Sequence, residues 1–329
     1  MFSKFSVDKI GRKKIISFGL FVYAVDMFLF GTATQLWHLY ALRAVQGAAS
    51  GVVWPAATVM AADIVKFEDR GKAMGLFSMM WDLGMAFGPV IGSGIKYFFS
   101  MTIGFYVCSV MAFFSTALII LRVKETVHPE KFEEEMSERK ELTPHKTILI
   151  GLCVGGMTTT FALGMTMSFL PVYGKEILGI GEAIGIVFGV MGAVRLIIKP
   201  ISGELSDVHG KRIFLLVGRA LSSITTALIV LATGFYTLLV PIIFAALGTG
   251  MALPANNAMV TSIAYKETRG KVMGIFATWR SFGLLVGSLI CGWVYDHVSP
   301  QTPFILCGLV GMIGVVVIFF TVHDVKEVE

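Results

Sequence analysis

Charge is scarce in this 329-residue chain. Asp, Glu, Lys and Arg together make up 15% of it, while hydrophobic types make up 55%. Soluble domains typically carry about 25% charged and about 45–50% apolar residues. A soluble core of this size has no room for that surplus, which must face a second apolar phase. A soluble enzyme, a secreted disulfide scaffold and a disordered tail are excluded, which leaves a polytopic membrane protein. Cysteine is also sparse. Cys108, Cys153, Cys291 and Cys307 lie inside apolar stretches without CxxC spacing and read as small core residues. No disulfide, metal site or cofactor is expected. Enzyme motifs are missing too: there is no P-loop, GxSxG, HExxH or paired metal-ligand pattern. Gly179-Ile180-Gly181 begins like a dinucleotide motif but has no strand before it, so it reads as a turn. No histidine falls mid-span, which argues against a histidine proton relay. The charged opening segment, Lys4 to Lys14, argues against a cleavable signal.

What the chain has is long apolar runs. A bilayer core about 30 Å thick needs roughly 20 apolar residues per helix. Ten stretches qualify: 15–36, 38–65, 72–95, 101–121, 146–172, 183–202, 213–233, 236–264, 271–296 and 301–322. They are too long and continuous for barrel strands of about 10 alternating residues, so an all-α bundle is expected. Their internal prolines (Pro55, Pro89, Pro200, Pro254) are tolerable, because neighbouring membrane helices satisfy the backbone groups they free. Alternating the spans places 21 of the 27 basic residues on one side, with two in the opposite loops and four inside spans. That bias puts both termini in the cytoplasm of a multi-pass cell-membrane protein. The mixed-charge segment 122–145 reads as a cytoplasmic linker between a four-span bundle, 1–121, and a six-span bundle, 146–329.

The sequence also repeats. Shifted by 199, Asp8, Gly11 and Lys13 fall on Asp207, Gly210 and Arg212, and Gly51 and Pro55 fall on Gly250 and Pro254. Arg70-Gly71-Lys72 falls on Arg269-Gly270-Lys271, and Gly84 and Gly88 fall on Gly283 and Gly287. A constant offset through three spans marks two pseudo-symmetric halves. A duplicated helical bundle is a signature of secondary transporters, whose substrate sites lie between the halves near mid-membrane. Two spans precede Asp207 in the second half, so symmetry predicts that the chain lacks two helices of a complete set of twelve.

The repeated segment around Gly203, Asp207, Gly210, Lys211 and Arg212 reads as a charge latch. Asp207 is placed to cap a helix start and Gly210 to allow a tight reversal. This GxLxDxxGKR pattern, with its partner Asp8, Gly11, Arg12 and Lys13, resembles the signature loops of the major facilitator superfamily. In the first copy Lys4 stands where the pattern has glycine. Arg43-Ala44-Val45-Gln46-Gly47 resembles the family's RxxQG motif, whose arginine is associated with proton transfer in proton-coupled members. Gly84, Gly88, Pro89 and Gly92 resemble the GxxxGPxxGG signature of drug:proton antiporters, with Ser93 in place of the last glycine. The resemblance runs over essentially the whole chain, from the family's third helix to its twelfth. Glycines four apart clear one helix face for close backbone contact, and Pro89 adds a bend.

Ionisable groups inside hydrocarbon are functional candidates. Here they are Asp26, Arg43, Asp82, Arg195, Arg219 and Arg280. Asp26 and Arg43 lie at matching depth across the short turn Thr32 to Trp37, which suggests a pair serving proton coupling or a static ion pair. Asp82 is the third proton-coupling candidate, with Arg195 as a possible partner. Arg219 is expected to reach the cytoplasmic headgroups. Gln46, Trp54, Arg195, Asn256, Asn257, Trp279 and Arg280 are the candidate substrate-cavity residues. The expected activity is proton-coupled efflux of small hydrophobic organic compounds by a monomer, with protons, substrate and the lipid bilayer as its partners and no nucleic acid. The alternatives are a proton symporter or facilitator importing a nutrient, and a non-transporting fragment.

Overall fold

The computed structural model describes residues 11–65, 70–125, 145–265 and 268–323. Ten α-helices account for nearly all of them, and no strand occurs among the described residues. They are α1 (Arg12–Thr32), α2 (Leu36–Asp63), α3 (Arg70–Phe98), α4 (Met101–Arg122), α5 (Lys146–Glu176), α6 (Ile184–His209), α7 (Lys211–Leu228), α8 (Phe235–Ser262), α9 (Arg269–His297) and α10 (Thr302–Thr321). Nine segments among the described residues are long and apolar enough to cross a membrane. Leu36–Asp63 falls outside that set, because Gln46, Ser50, Trp54 and Pro55 dilute its apolar content. The side chains that these helices turn outward suit a lipid solvent. On α10, Leu309, Ile313, Val316 and Phe320 form an exposed apolar stripe at helical spacing.

The repeat is visible helix by helix. Adding 199 to Leu36–Asp63 gives the bounds of Phe235–Ser262, and adding it to Arg70–Phe98 gives those of Arg269–His297. Packing repeats as well. α1 packs on α2 and α4, and its counterpart α7 packs on α8 and α10. Gly11 and Gly210 even share one backbone conformation, with φ of 98° and 97°. Only glycine holds that region without strain, so both copies keep it at the helix start.

Contacts divide the chain into two units, Met1–Trp81 with Ile91–Ser137 and Asp82–Val90 with Glu138–Glu329. The first has a small buried core at Ile16, Ala56 and Met60. The second has two larger cores, one around Leu152, Leu215, Val260 and Phe276, the other around Met165, Tyr173, Leu238 and Phe304. In it α5 packs on α9 and α10, and α6 packs on α8.

The glycine motif departs from expectation. A Cβ built on Gly84, Gly88 or Gly92 meets no atom within 4 Å. The seam makes none of the close contacts that its spacing suggests. Its counterpart in the second repeat does: a Cβ on Gly283 or Gly287 would strike the backbone of Met157 or Phe161 on α5. In the second repeat it is the α5 backbone that fills the space beside the seam.

The signature segment also differs from a loop. α6 runs on to His209, so the reversal is made by Gly210 alone. Asp207 therefore sits in the last turn of α6 and does not cap α7. It pairs with Lys211 at 3.7 Å on an exposed surface, which contributes little. Gly203 lies inside α6 with open space around it.

Candidate functional site: buried charges in two units

In the first unit, helical spacing puts Arg43 and Gln46 on one face of α2. Arg43 Nη1 donates to Gln46 Oε1 at 2.5 Å, and the guanidinium lies 5.0 Å from the centre of the Phe30 ring. Ser50, one turn on, donates to the Gln46 carbonyl at 3.1 Å and accepts from Tyr23 Oη at 2.7 Å. A ladder of polar groups thus runs between α2 and α1. Trp54 lies above it, packed edge-on against Trp81 at 4.7 Å.

Asp26 stands apart from this ladder. It is 2% exposed, in a groove walled by Phe18, Val22, Leu42 and Val45, and neither carboxylate oxygen has a hydrogen-bond partner. Arg43 acts on it through space without closing an ion pair. The direct Asp26–Arg43 pair is therefore not formed: Arg43 turns its Nη1 to Gln46 and its face to Phe30. The latch of this unit is anchored differently from its copy. Glu125 accepts from the backbone N–H groups of Arg12 and Lys13 at 3.0–3.4 Å, holding the α1 start at Gly11. Arg12 is buried there. Asp8 lies outside the described residues.

In the second unit the expected Asp82–Arg195 contact gives way to another. Lys199 Nζ donates to both Asp82 carboxylate oxygens, at 2.7 and 2.5 Å. Lys199 is one turn beyond Arg195 on α6. Arg195 instead donates from Nε to Thr249 Oγ1 at 3.0 Å. Asp82 comes this close because Gly192 of α6 lies against the backbone of Ala86, where a Cβ would overlap Ala86 Cα and N. Small residues allow that approach.

Arg219 also corrects the sequence reading. It is 2% exposed and donates to the hydroxyls of Thr158 and Thr159, not to headgroups. The reason lies in α7. Arg219, Ser222, Ser223 and Thr226 recur at helical spacing on one face, while Val217, Ile224 and Leu228 are exposed on the other. That stripe was the signal for an inward-facing arginine. Arg280, on α9, stacks 5.7 Å from the Phe276 ring, and its backbone carbonyl accepts from Thr160 Oγ1 at 2.6 Å.

Arg195, Arg219 and Arg280 all line one cavity of about 70 Å³, measured as room for the centres of water molecules. Its walls come from α5 to α10, with hydroxyls from Thr158, Thr159 and Thr160 on one side. Gln46, Trp54, Asn256, Asn257 and Trp279 do not line it. Asn256 is buried beside the Ala255–Met259 core with its Oδ1 unpartnered, whereas Asn257 and Trp279 are exposed. No metal-binding cluster of His, Cys, Asp or Glu occurs among the described residues.

Duplicated helical bundles with charged groups buried at membrane depth define a multi-pass membrane transporter of the duplicated-bundle type. Comparison with known proteins agrees. Residues 1–203 and 152–329 match the Major Facilitator Superfamily, and the chain belongs to that family. It is 26% identical over 326 residues to Multidrug resistance protein 2 of Bacillus subtilis (strain 168), across 94% of this chain and 78% of that relative. It is also 26% identical over 323 residues to Quinolone resistance protein NorA of Staphylococcus aureus (strain MRSA252), across 94% and 80%. Among solved structures, the fold is similar to a POT family transporter crystallised with a thioalcohol-conjugated peptide. The TM-score is 0.81 at 13% identity, over 94% of this chain and 81% of that one.

Proposed function

We propose that this chain is a proton-coupled exporter of small hydrophobic organic compounds, working by alternating access as a monomer in the cell membrane, with both termini in the cytoplasm. The single observation carrying the proton step is Asp26. A carboxyl group buried in a membrane helix, with both oxygens unpartnered, can lose its charge by accepting a proton. Arg43 acts on this carboxylate through space, and a positive charge nearby favours release of the proton again. The relatives whose names record multidrug and quinolone resistance support drug-like organic compounds as the cargo, and resistance is what export of such compounds would give. Asp82, engaged by Lys199, serves as a charge held in place, not as a freely exchanging proton site.

Everted membrane vesicles carrying the protein provide the test. With respiration acidifying the lumen, ethidium should accumulate and the lumen should alkalinise as it enters. A protonophore should abolish both effects. Ethidium accumulation that persists with the protonophore present, or that leaves lumenal pH unchanged, would overturn the reading.

A further inference from the structure

Arg195, Arg219 and Arg280 are three permanent positive charges around one cavity, and no carboxylate among the described residues lines it. Arginine cannot discharge itself by losing a proton in a protein. Each guanidinium here has only neutral partners among its hydrogen bonds and ring contacts: Thr249, the hydroxyls of Thr158 and Thr159, and the face of Phe276. The Nε atoms of Arg219 and Arg280 are buried with no partner at all. The nearest acid, Asp82, acts on Arg195 through space, but Lys199 occupies both of its oxygens. Leaving buried charge uncompensated at this depth is costly, so a counter-charge is required.

We infer that this cavity in the second unit is a binding site for a small anion of the carboxylate class. The donor set suits that chemistry. Guanidinium forks match the two oxygens of a carboxylate. The Thr158 and Thr159 hydroxyls spend their hydrogens on the Gly155 carbonyl at 3.1 and 3.0 Å, which turns their lone pairs toward Arg219. They orient that guanidinium without competing for the anion. A cavity of about 70 Å³ admits a carboxylate group, since a single water needs only about 10–15 Å³ in the same measure. The carboxylate could belong to a free small acid or to the acidic end of a larger organic molecule. The site does not depend on the direction of transport or on proton coupling.

The test uses the purified full chain in detergent, with thermal unfolding followed by tryptophan fluorescence at constant ionic strength in sodium methanesulfonate, which carries no carboxylate. Replacing methanesulfonate with acetate or benzoate should raise the unfolding midpoint saturably, and the neutral isosteres acetamide and benzamide should not. Arg219→Gln and Arg280→Gln should each weaken the apparent affinity at least tenfold, while Arg219→Lys should retain a reduced response. Where Arg219→Gln fails to fold, Arg280→Gln and the isostere controls still decide the matter. Benzoate binding tenfold tighter than acetate assigns the site to a larger organic acid, and the reverse order assigns it to a free small acid. Equal shifts with acetamide, no shift with either carboxylate, a shift produced only by chloride, or a full response in the Arg219→Gln/Arg280→Gln double variant would overturn the proposal.

Discussion

The two repeats share helix boundaries, packing partners and even the φ of one glycine, yet they bury charges of opposite sign. The first repeat carries Asp26 and Asp82 where the second has Thr225 and Ser281. The second carries Arg219 and Arg280 where the first has Leu20 and Trp81. Two arginines of the first repeat are exceptions: Arg12 is buried at the α1 start, and Arg43 lies exposed on α2 with Gln46 as its partner. Duplication preserved the scaffold, and polar positions diverged upon it. The difference matters chemically. A buried carboxyl can be neutralised by a proton, whereas a buried guanidinium must be met by an anion. One architecture thus acquired two kinds of ionic chemistry.

The repeats differ as sharply in their glycine seams, and there a substitution should have its largest effect. Gly287→Leu forces a side chain into the backbone of Phe161. It should cost more than about 3 kcal/mol, in the upper range of overpacking, seen as loss of monodisperse protein on size exclusion. Gly88→Leu meets open space, and its unfolding midpoint should move by less than about 1 kcal/mol equivalent. Equal damage at both positions would mean that the first seam is engaged as tightly as the second.

A buried ion pair gives the next effect. Lys199→Met leaves Asp82 without its partner and should destabilise by about 3–5 kcal/mol. Adding Asp82→Leu should recover most of the loss, because both charges are then gone. Thermal unfolding of the single and double variants provides the cycle. Additive losses would show that the two side chains are not coupled.

The smallest effect belongs to the latches. Glu125→Gln weakens charge-assisted bonds to the Arg12 and Lys13 backbone and should cost about 1–2 kcal/mol. Asp207→Asn, which removes an exposed pair, should cost less than about 1 kcal/mol. If both variants unfold at the same midpoint, the two copies of the latch are held equally and the contrast disappears.

Much of this was legible in the amino-acid sequence. Continuous apolar runs give helices with bounds close to those observed, and the offset of 199 reappears in Leu36–Asp63 and Phe235–Ser262. The buried charges were legible as depths, since position along a span sets depth. Their partners were not, because pairing depends on rotation about each helix axis and on which helix lies opposite. Lys199 illustrates the problem: a basic residue near a helix end reads as a headgroup anchor until Asp82 is placed beside it. Arg219 was closer to readable, since its stripe with Ser222, Ser223 and Thr226 is a periodicity and requires no neighbour. Gly210 as the sole reversal residue was hidden, because Asp207 and Lys211 look like loop chemistry and only backbone geometry shows the helix running between them.

In the proposed cycle Asp26 accepts the transported proton, and the arginines of the second repeat take no part in that step. The most direct measurement is proton release from the purified protein in weakly buffered detergent solution on addition of tetraphenylphosphonium, a hydrophobic cation. Competition between proton and cargo predicts release of up to about one proton per molecule bound. Release should be absent in Asp26→Asn and retained in Arg219→Gln. An Asp26→Asn protein that binds the cation and releases protons as the unmodified chain does would show that Asp26 is not the proton acceptor.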